Sequence, residues 1–120
     1  MILVDTSIWI DHFRAGDARL AAVLEANTVL SHPAVIGEIA LGNLPRREMV
    51  LTALRNLPQA AIATEAELAR FIEDETLHGL GIGYVDAHLL AATRLTPEAT
   101  LWTRDARLAA AAARLGVAEE

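Results

Sequence analysis

Four carboxylates fall where a folded chain could bring them together. Asp5 follows the apolar run Ile2-Leu3-Val4, and Asp105 follows Thr100-Leu101-Trp102-Thr103. Glu38 and Asp86 sit near helix starts among apolar neighbours, in Val35-Ile36-Gly37-Glu38-Ile39 and Tyr84-Val85-Asp86-Ala87. Acids in such surroundings are costly unless paired or metal-bound. Arg104 is the nearest cation in sequence. Four carboxylates at one edge repel and raise one another's pKa unless divalent ions fill the gap. Oxygen-only ligation suits Mg²⁺ or Mn²⁺ rather than zinc. One or two such ions can activate a water and stabilise the leaving oxygen of a phosphodiester. Each acid alone has a plainer reading. Asp5 or Asp105 can be a helix N-cap, and Glu38 or Asp86 a solvated helix residue. At this level both readings stand.

The elements that must position these acids can be read from periodicity and caps. Ile2-Leu3-Val4 reads as a short buried strand. Asp5-Thr6-Ser7 offers N-cap chemistry to a helix through Ile8, Trp9, Ile10 and Phe13, broken at Gly16. Asp17 caps a second helix with Leu20, Val23 and Leu24 at helical spacing, and Thr28-Val29-Leu30 is a second strand. Ser31-His32-Pro33 opens a helix striped by Val35, Ile36, Ile39 and Ala40, with Glu38 off the centre of that stripe. After the Gly42–Pro45 turn a helix is expected to bury Met49, Val50, Ala53, Leu54 and Leu57, and Pro58 stops it. Ala60–Ala63 is the expected third strand. Thr64-Glu65-Ala66-Glu67 is a capping box for a helix through Leu68, Phe71, Ile72 and Leu77. Gly79, Gly81 and Gly83 make a flexible stretch before a helix over Tyr84–Leu95. Thr100–Thr103 is a fourth strand, and Asp105 caps a last helix ending at Gly116. Strands alternating with helices imply a parallel sheet flanked by helices. Strand C-termini then share one edge, where ligands bind and where Asp5 and Asp105 can meet.

Composition narrows the chemistry. The chain has 120 residues, 53% of them hydrophobic, which fits one domain with a real core. With no cysteine, thiolate metal sites and a Cys nucleophile are excluded. All ten basic residues are Arg, so there is no Walker A lysine and no Schiff base. Gly79, Gly81 and Gly83 do not follow a strand, which argues against a dinucleotide site. The four histidines, His12, His32, His78 and His88, share no metal-ligand spacing, and Trp9 and Trp102 read as core or interface. Nothing resembles a signal peptide or a membrane span, so a cytoplasmic location is expected. The net charge of −6 speaks against a nucleic-acid partner. Two bound divalent ions would bring it to −2 and weaken that objection.

At these residues the chain resembles a known family. Val4-Asp5-Thr6-Ser7-Ile8-Trp9-Ile10-Asp11 looks like the opening of a PIN-domain ribonuclease of the VapC toxin type. Glu38 matches that family's second acidic motif, Gly83-Tyr84-Val85-Asp86-Ala87-His88-Leu89-Leu90 its third and Leu101-Trp102-Thr103-Arg104-Asp105 its fourth. Each motif alone is weak; the ordered set spans nearly the whole chain. The resemblance implies a three-layer α/β/α PIN-like domain over residues 1–120, with a central parallel sheet of four or five strands. Asp5, Glu38, Asp86 and Asp105 would form a pocket for one or two Mg²⁺ or Mn²⁺ ions, with Asp5 and Asp86 the foremost direct ligands. Thr6, Ser7 and Thr103 would be polar support. The reaction would be endonucleolytic hydrolysis of structured RNA (tRNA, rRNA or mRNA). A VapB-like antitoxin would block the pocket, and a homodimer is expected. One departure concerns the residue after the fourth motif's acid, often basic in the family: here it is Ala106, with Arg107 next.

Other functions fit less well. A catalytically silent PIN-like module that only binds a partner is the alternative, but all four acids are present. A receiver-type domain would need a late lysine, and a dehalogenase-like phosphatase would need an acid where Ser7 stands. Arg14, Arg46, Arg47, Arg55 and Arg104 are the candidate contacts to RNA phosphates.

Overall fold

A computed structural model describes all of residues 1–120. Strands β1 (Ile2–Val4), β2 (Val29–Leu30) and β3 (Thr100–Trp102) form a parallel sheet in the order β2-β1-β3. Ile2 pairs with both Val29 and Thr100, and Val4 pairs with Trp102. The strands are short, yet their buried residues point alternately to the two sides. Leu3, Val4, Leu101 and Trp102 are all buried, so both faces of the sheet are covered.

The helices are α1 (Thr6–Ala15), α2 (Ala18–Glu25), α3 (Pro33–Leu41), α4 (Arg47–Asn56), α5 (Glu65–Asp74), α6 (Tyr84–Leu95) and α7 (Ala106–Arg114). α6 and α7 pack on β3, while α3 packs against α1, α4 and α6. Most helix starts follow the local chemistry of the sequence. Asp5, Asp17 and Asp105 cap α1, α2 and α7, and the Thr64–Glu67 capping box opens α5. No helix is long and apolar enough to cross a membrane.

The sheet has three strands, not the expected four or five. The missing members shrink to single parallel bridges, Ser31 with Gln59 on one edge and Leu101 with Ala118 on the other. At the first edge Ser31 N–H donates to Pro58 O and Ala60 N–H donates to Ser31 O, both at 2.8 Å. The ladder then stops. Pro58 has no N–H to offer, and the Ala61 N–H turns away to the Thr96 hydroxyl at 2.9 Å. Ala60–Ala63 is therefore not a strand.

Two helix expectations also change. α4 buries Leu51 and Leu54, whereas Met49 is 55% exposed and Ala53 faces solvent. Its apolar residues cover about half of the helix circumference, a wider arc than the face it buries, so periodicity alone did not choose the centre of that face. α5 ends at Asp74, before Leu77. Thr76 takes φ +53°, which reverses the chain and returns Leu77 to the core.

Gly81 has a specific backbone role in the stretch before α6. Its φ is +76°, and an added Cβ would lie 2.7 Å from the Arg107 guanidinium. The guanidinium is mobile, so the left-handed backbone sets the larger cost. Gly81→Ala is expected to lower stability by about 1–2 kcal/mol, read from the denaturant midpoint, and by as much in an Arg107→Ala background.

Candidate active site

The C-terminal ends of β1 and β3 deliver the first two acids. Asp5 follows Val4, and its N–H donates to Trp102 O at 2.9 Å, so the two strand ends are locked side by side. Asp5 is only 7% exposed. Its Oδ1 accepts from Thr6 N–H at 2.8 Å, and its Oδ2 accepts from the Ser7 hydroxyl at 3.2 Å and the Thr103 hydroxyl at 2.7 Å. A carboxylate offers about four lone-pair sites. Three are used, and the one left is on Oδ1.

Asp105 lies one short loop away. Its Oδ1 accepts the Arg107 and Leu108 N–H groups at 2.9 and 3.0 Å, which starts α7. Its own N–H donates to Thr103 Oγ1 at 3.1 Å. Thr103 thus links two acids through one hydroxyl. Asp86 sits in the first turn of α6, where its Oδ2 accepts the Gly83 N–H at 3.0 Å. Glu38, on α3, is exposed and accepts the Thr6 hydroxyl at 2.6 Å through Oε1. Asp86 Oδ1, Asp105 Oδ2 and Glu38 Oε2 accept no hydrogen bond.

Hydrogen bonds link six of the seven residues singled out in the sequence, and Asp86 stands outside that network, touched by it only through charge. Thr6, Ser7 and Thr103 hold Asp5, and Thr6 ties Glu38 to it. Burial pushes the Asp86 carboxyl above its ordinary range; the Gly83 N–H opposes this, and the charges of Asp5 and Asp105 add to it. No three acidic or histidine side chains approach closely enough to close a shell round one ion. Mutual repulsion of uncompensated carboxylates favours such spacing.

None of the four acids has a cationic partner; the ion pairs of the protein use Asp11, Asp17, Glu48, Glu75 and Glu119 instead. Arg104, expected at the pocket edge, is turned to Asp11 and Asp17. The Asp17 carboxyl is held below its usual range by the Leu20 N–H first and by Arg104 next. Arg47 is also committed, to Ala40 O at 2.9 Å and to Glu48. Of the five arginines named for RNA, Arg14, Arg46 and Arg55 have no acidic partner.

Sequence spacing missed one pairing. His32 caps α3 through Nδ1, which accepts the Ala34 N–H at 3.0 Å, and its ring lies 6.2 Å from that of His88 on α6. His32 Nε2 and His88 Nδ1 are buried and unpartnered. Burial, and then the nearby His88, push the His32 pKa down, so the ring is neutral at pH 7. The only sequence signal was the N-cap position of His32 before Pro33.

The raised Asp86 pKa has a consequence for stability. Between the unfolded value and the higher folded one, the native state binds the extra proton, so stability falls as pH rises through that window. Asp86→Asn keeps an acceptor for Gly83 and carries no charge. Without divalent ions it is expected to melt above the wild type at pH 7, with the difference gone below the ordinary carboxylate pKa of 3.8. Thermal unfolding at the two pH values checks this.

Comparison with known proteins agrees with this geometry. The family model described as PIN domain matches residues 2–114. Ribonuclease VapC32 from two strains of Mycobacterium tuberculosis is 50% identical to this chain over 118 residues, covering 98% of the chain and 95% of the relative. A match of this extent, with the strand-end acids in place, identifies the chain as a member of the PIN-domain family.

Proposed function

We propose that the chain is a toxin-type, metal-dependent endoribonuclease, working as one domain over residues 1–120. The observation that carries this reading is the nearly buried Asp5 at the end of the central strand, oriented by three hydrogen bonds, paired with no cation and close enough for its charge to act on Asp86. The similarity to a protein named as a ribonuclease supports the substrate class.

The donor set fits a hard divalent ion. Asp5 Oδ1, Asp86 Oδ1, Asp105 Oδ2 and Glu38 Oε2 are the oxygens available to hold Mg²⁺ or Mn²⁺. Mg²⁺ is commonly held by one or two carboxylates together with waters and substrate phosphates, so a closed protein cage is not required. When bound, such an ion polarises water and stabilises the leaving oxygen of a phosphodiester. The residues of the chain supply the rest. Thr6, Ser7 and Thr103 fix the Asp5 carboxylate, and the α1 and α7 N-termini favour its negative charge and that of Asp105. Arg14, Arg46 and Arg55 are free to meet RNA phosphates.

The partner reading rests on similarity and on one apolar groove. Trp9, His12, Phe13, Leu24, Val50, Ala53, Leu54 and Leu57 line a cavity of about 230 Å³ between α1, α2 and α4. A VapB-like antitoxin, a homodimeric state, a cytoplasmic site of action and helical outer layers on both sheet faces complete the proposal. A silent binding module has no use for a nearly buried Asp5 without a cation, whose charge adds to the raised proton affinity of Asp86.

The test is cleavage of total bacterial RNA by the purified chain with Mg²⁺, Mn²⁺ or EDTA. Cleavage should require the ion and fall by at least about a hundredfold in Asp5→Asn and in Asp86→Asn, since even residues that merely support a metal ligand cost up to that much. Equal cleavage by both variants, or cleavage in EDTA, would sink the proposal.

A further inference from the structure

The loop after β3 carries two site residues, Thr103 and Asp105, with Arg104 between them. Thr103 bonds Asp5 and Asp105 bonds the start of α7, so the placement of this loop sets the orientation of both acids. Backbone bonds tie its ends, where Asp5 N–H donates to Trp102 O and Ala109 N–H donates to Asp105 O, both at 2.9 Å, and its middle is held less. Arg104 N–H reaches Ser7 Oγ at 3.4 Å, and Asp105 N–H reaches Thr103 Oγ1. The stronger tie is the Arg104 side chain. Its Nη1 donates to Asp11 on α1, and its Nη2 donates to Asp17, the N-cap of α2. Asp17 N–H in turn donates to His12 Nδ1 at 2.9 Å, so the α1–α2 corner is itself braced.

We propose that Arg104 is a positioning residue for the metal site: bridged by Asp11 and Asp17, it clamps the Thr103–Asp105 loop to α1 and so holds the Asp5 and Asp105 carboxylates in register. The role rests on the metal-dependent reading above. Two features separate it from an ordinary surface ion pair. The guanidinium joins three segments, α1, the α2 N-cap and the site loop, by two charge-assisted hydrogen bonds from one planar group. Its neighbours in sequence on both sides are site residues, so any slack in the clamp moves Thr103 Oγ1 off Asp5. Because Arg104 is held by Asp11 and Asp17, its charge is also kept from pairing with Asp105 beside it in sequence.

The experiment is a calorimetric Mn²⁺ titration of the full chain without RNA, run beside RNA-cleavage kinetics and thermal unfolding. Arg104→Gln is expected to weaken Mn²⁺ binding about tenfold, the scale for residues that support metal ligands. It should lower kcat and leave the KM for RNA unchanged. Arg104→Lys should recover part of the affinity, as one point charge replacing a fork. Asp17→Asn still caps α2 but is uncharged, so it should reproduce the loss, and the double variant should be no worse than either single one. An unchanged Mn²⁺ affinity in Arg104→Gln beside a normal wild-type titration overturns the role, whether melting falls or not. A raised KM with unchanged Mn²⁺ affinity overturns it in favour of a direct RNA contact. If the wild type itself binds no Mn²⁺, the metal reading fails first and the role of Arg104 with it.

Discussion

The hydrogen bond from the Thr103 hydroxyl to Asp5 Oδ2, 2.7 Å long, joins the two strand ends on which the site depends. It works only because β1 and β3 run parallel and end together, with Asp5 N–H on Trp102 O. Asp5 then has almost no water, no cation and one free lone pair. Three donors replace the water that its carboxylate loses on burial, and no cation joins them. Its charge and that of Asp105 add to the raised proton affinity of Asp86.

Helix capping is how the chain tolerates this arrangement. Asp5 and Asp105 are the N-caps of α1 and α7, and Asp86 bonds the N–H of Gly83, the residue preceding α6. Each takes backbone N–H groups that would otherwise lack a partner, at the positive end of a helix. The capping role of these acids is thus compatible with the chemical role proposed for them. In Asp86 and Asp105 one oxygen bonds the helix start and the other accepts no hydrogen bond, while in Asp5 the division falls between lone pairs. Removing such a carboxyl group acts on folding and on chemistry at once, which is why Asn is the informative substitution and Ala is not.

The sequence showed most of what local rules control. Val4-Asp5-Thr6-Ser7, the Thr64–Glu67 box and Asp105 each announce their own helix start, and the order of buried runs and helices implies the parallel sheet. It did not show features set by distant partners. Ala60–Ala63 has strand-like composition, but Thr96 captures the Ala61 N–H and Pro58 has none to give. The exposure of Met49 depends on how α4 lies against α3, which periodicity cannot supply where the apolar arc is wider than the buried face. Arg104 looked like a pocket cation because it adjoins Asp105, yet Asp11 and Asp17, distant in sequence, turn it aside. His32 and His88 meet only through the packing of α3 on α6.

Anomalous diffraction from a crystal soaked in Mn²⁺ tests the central claim most directly. A peak about 2.1 Å from Asp5 Oδ1, and at a like distance from Asp86 or Asp105, is the result this account predicts. Peaks elsewhere only, such as between His32 and His88, or a pocket still without one at saturating Mn²⁺, would contradict it.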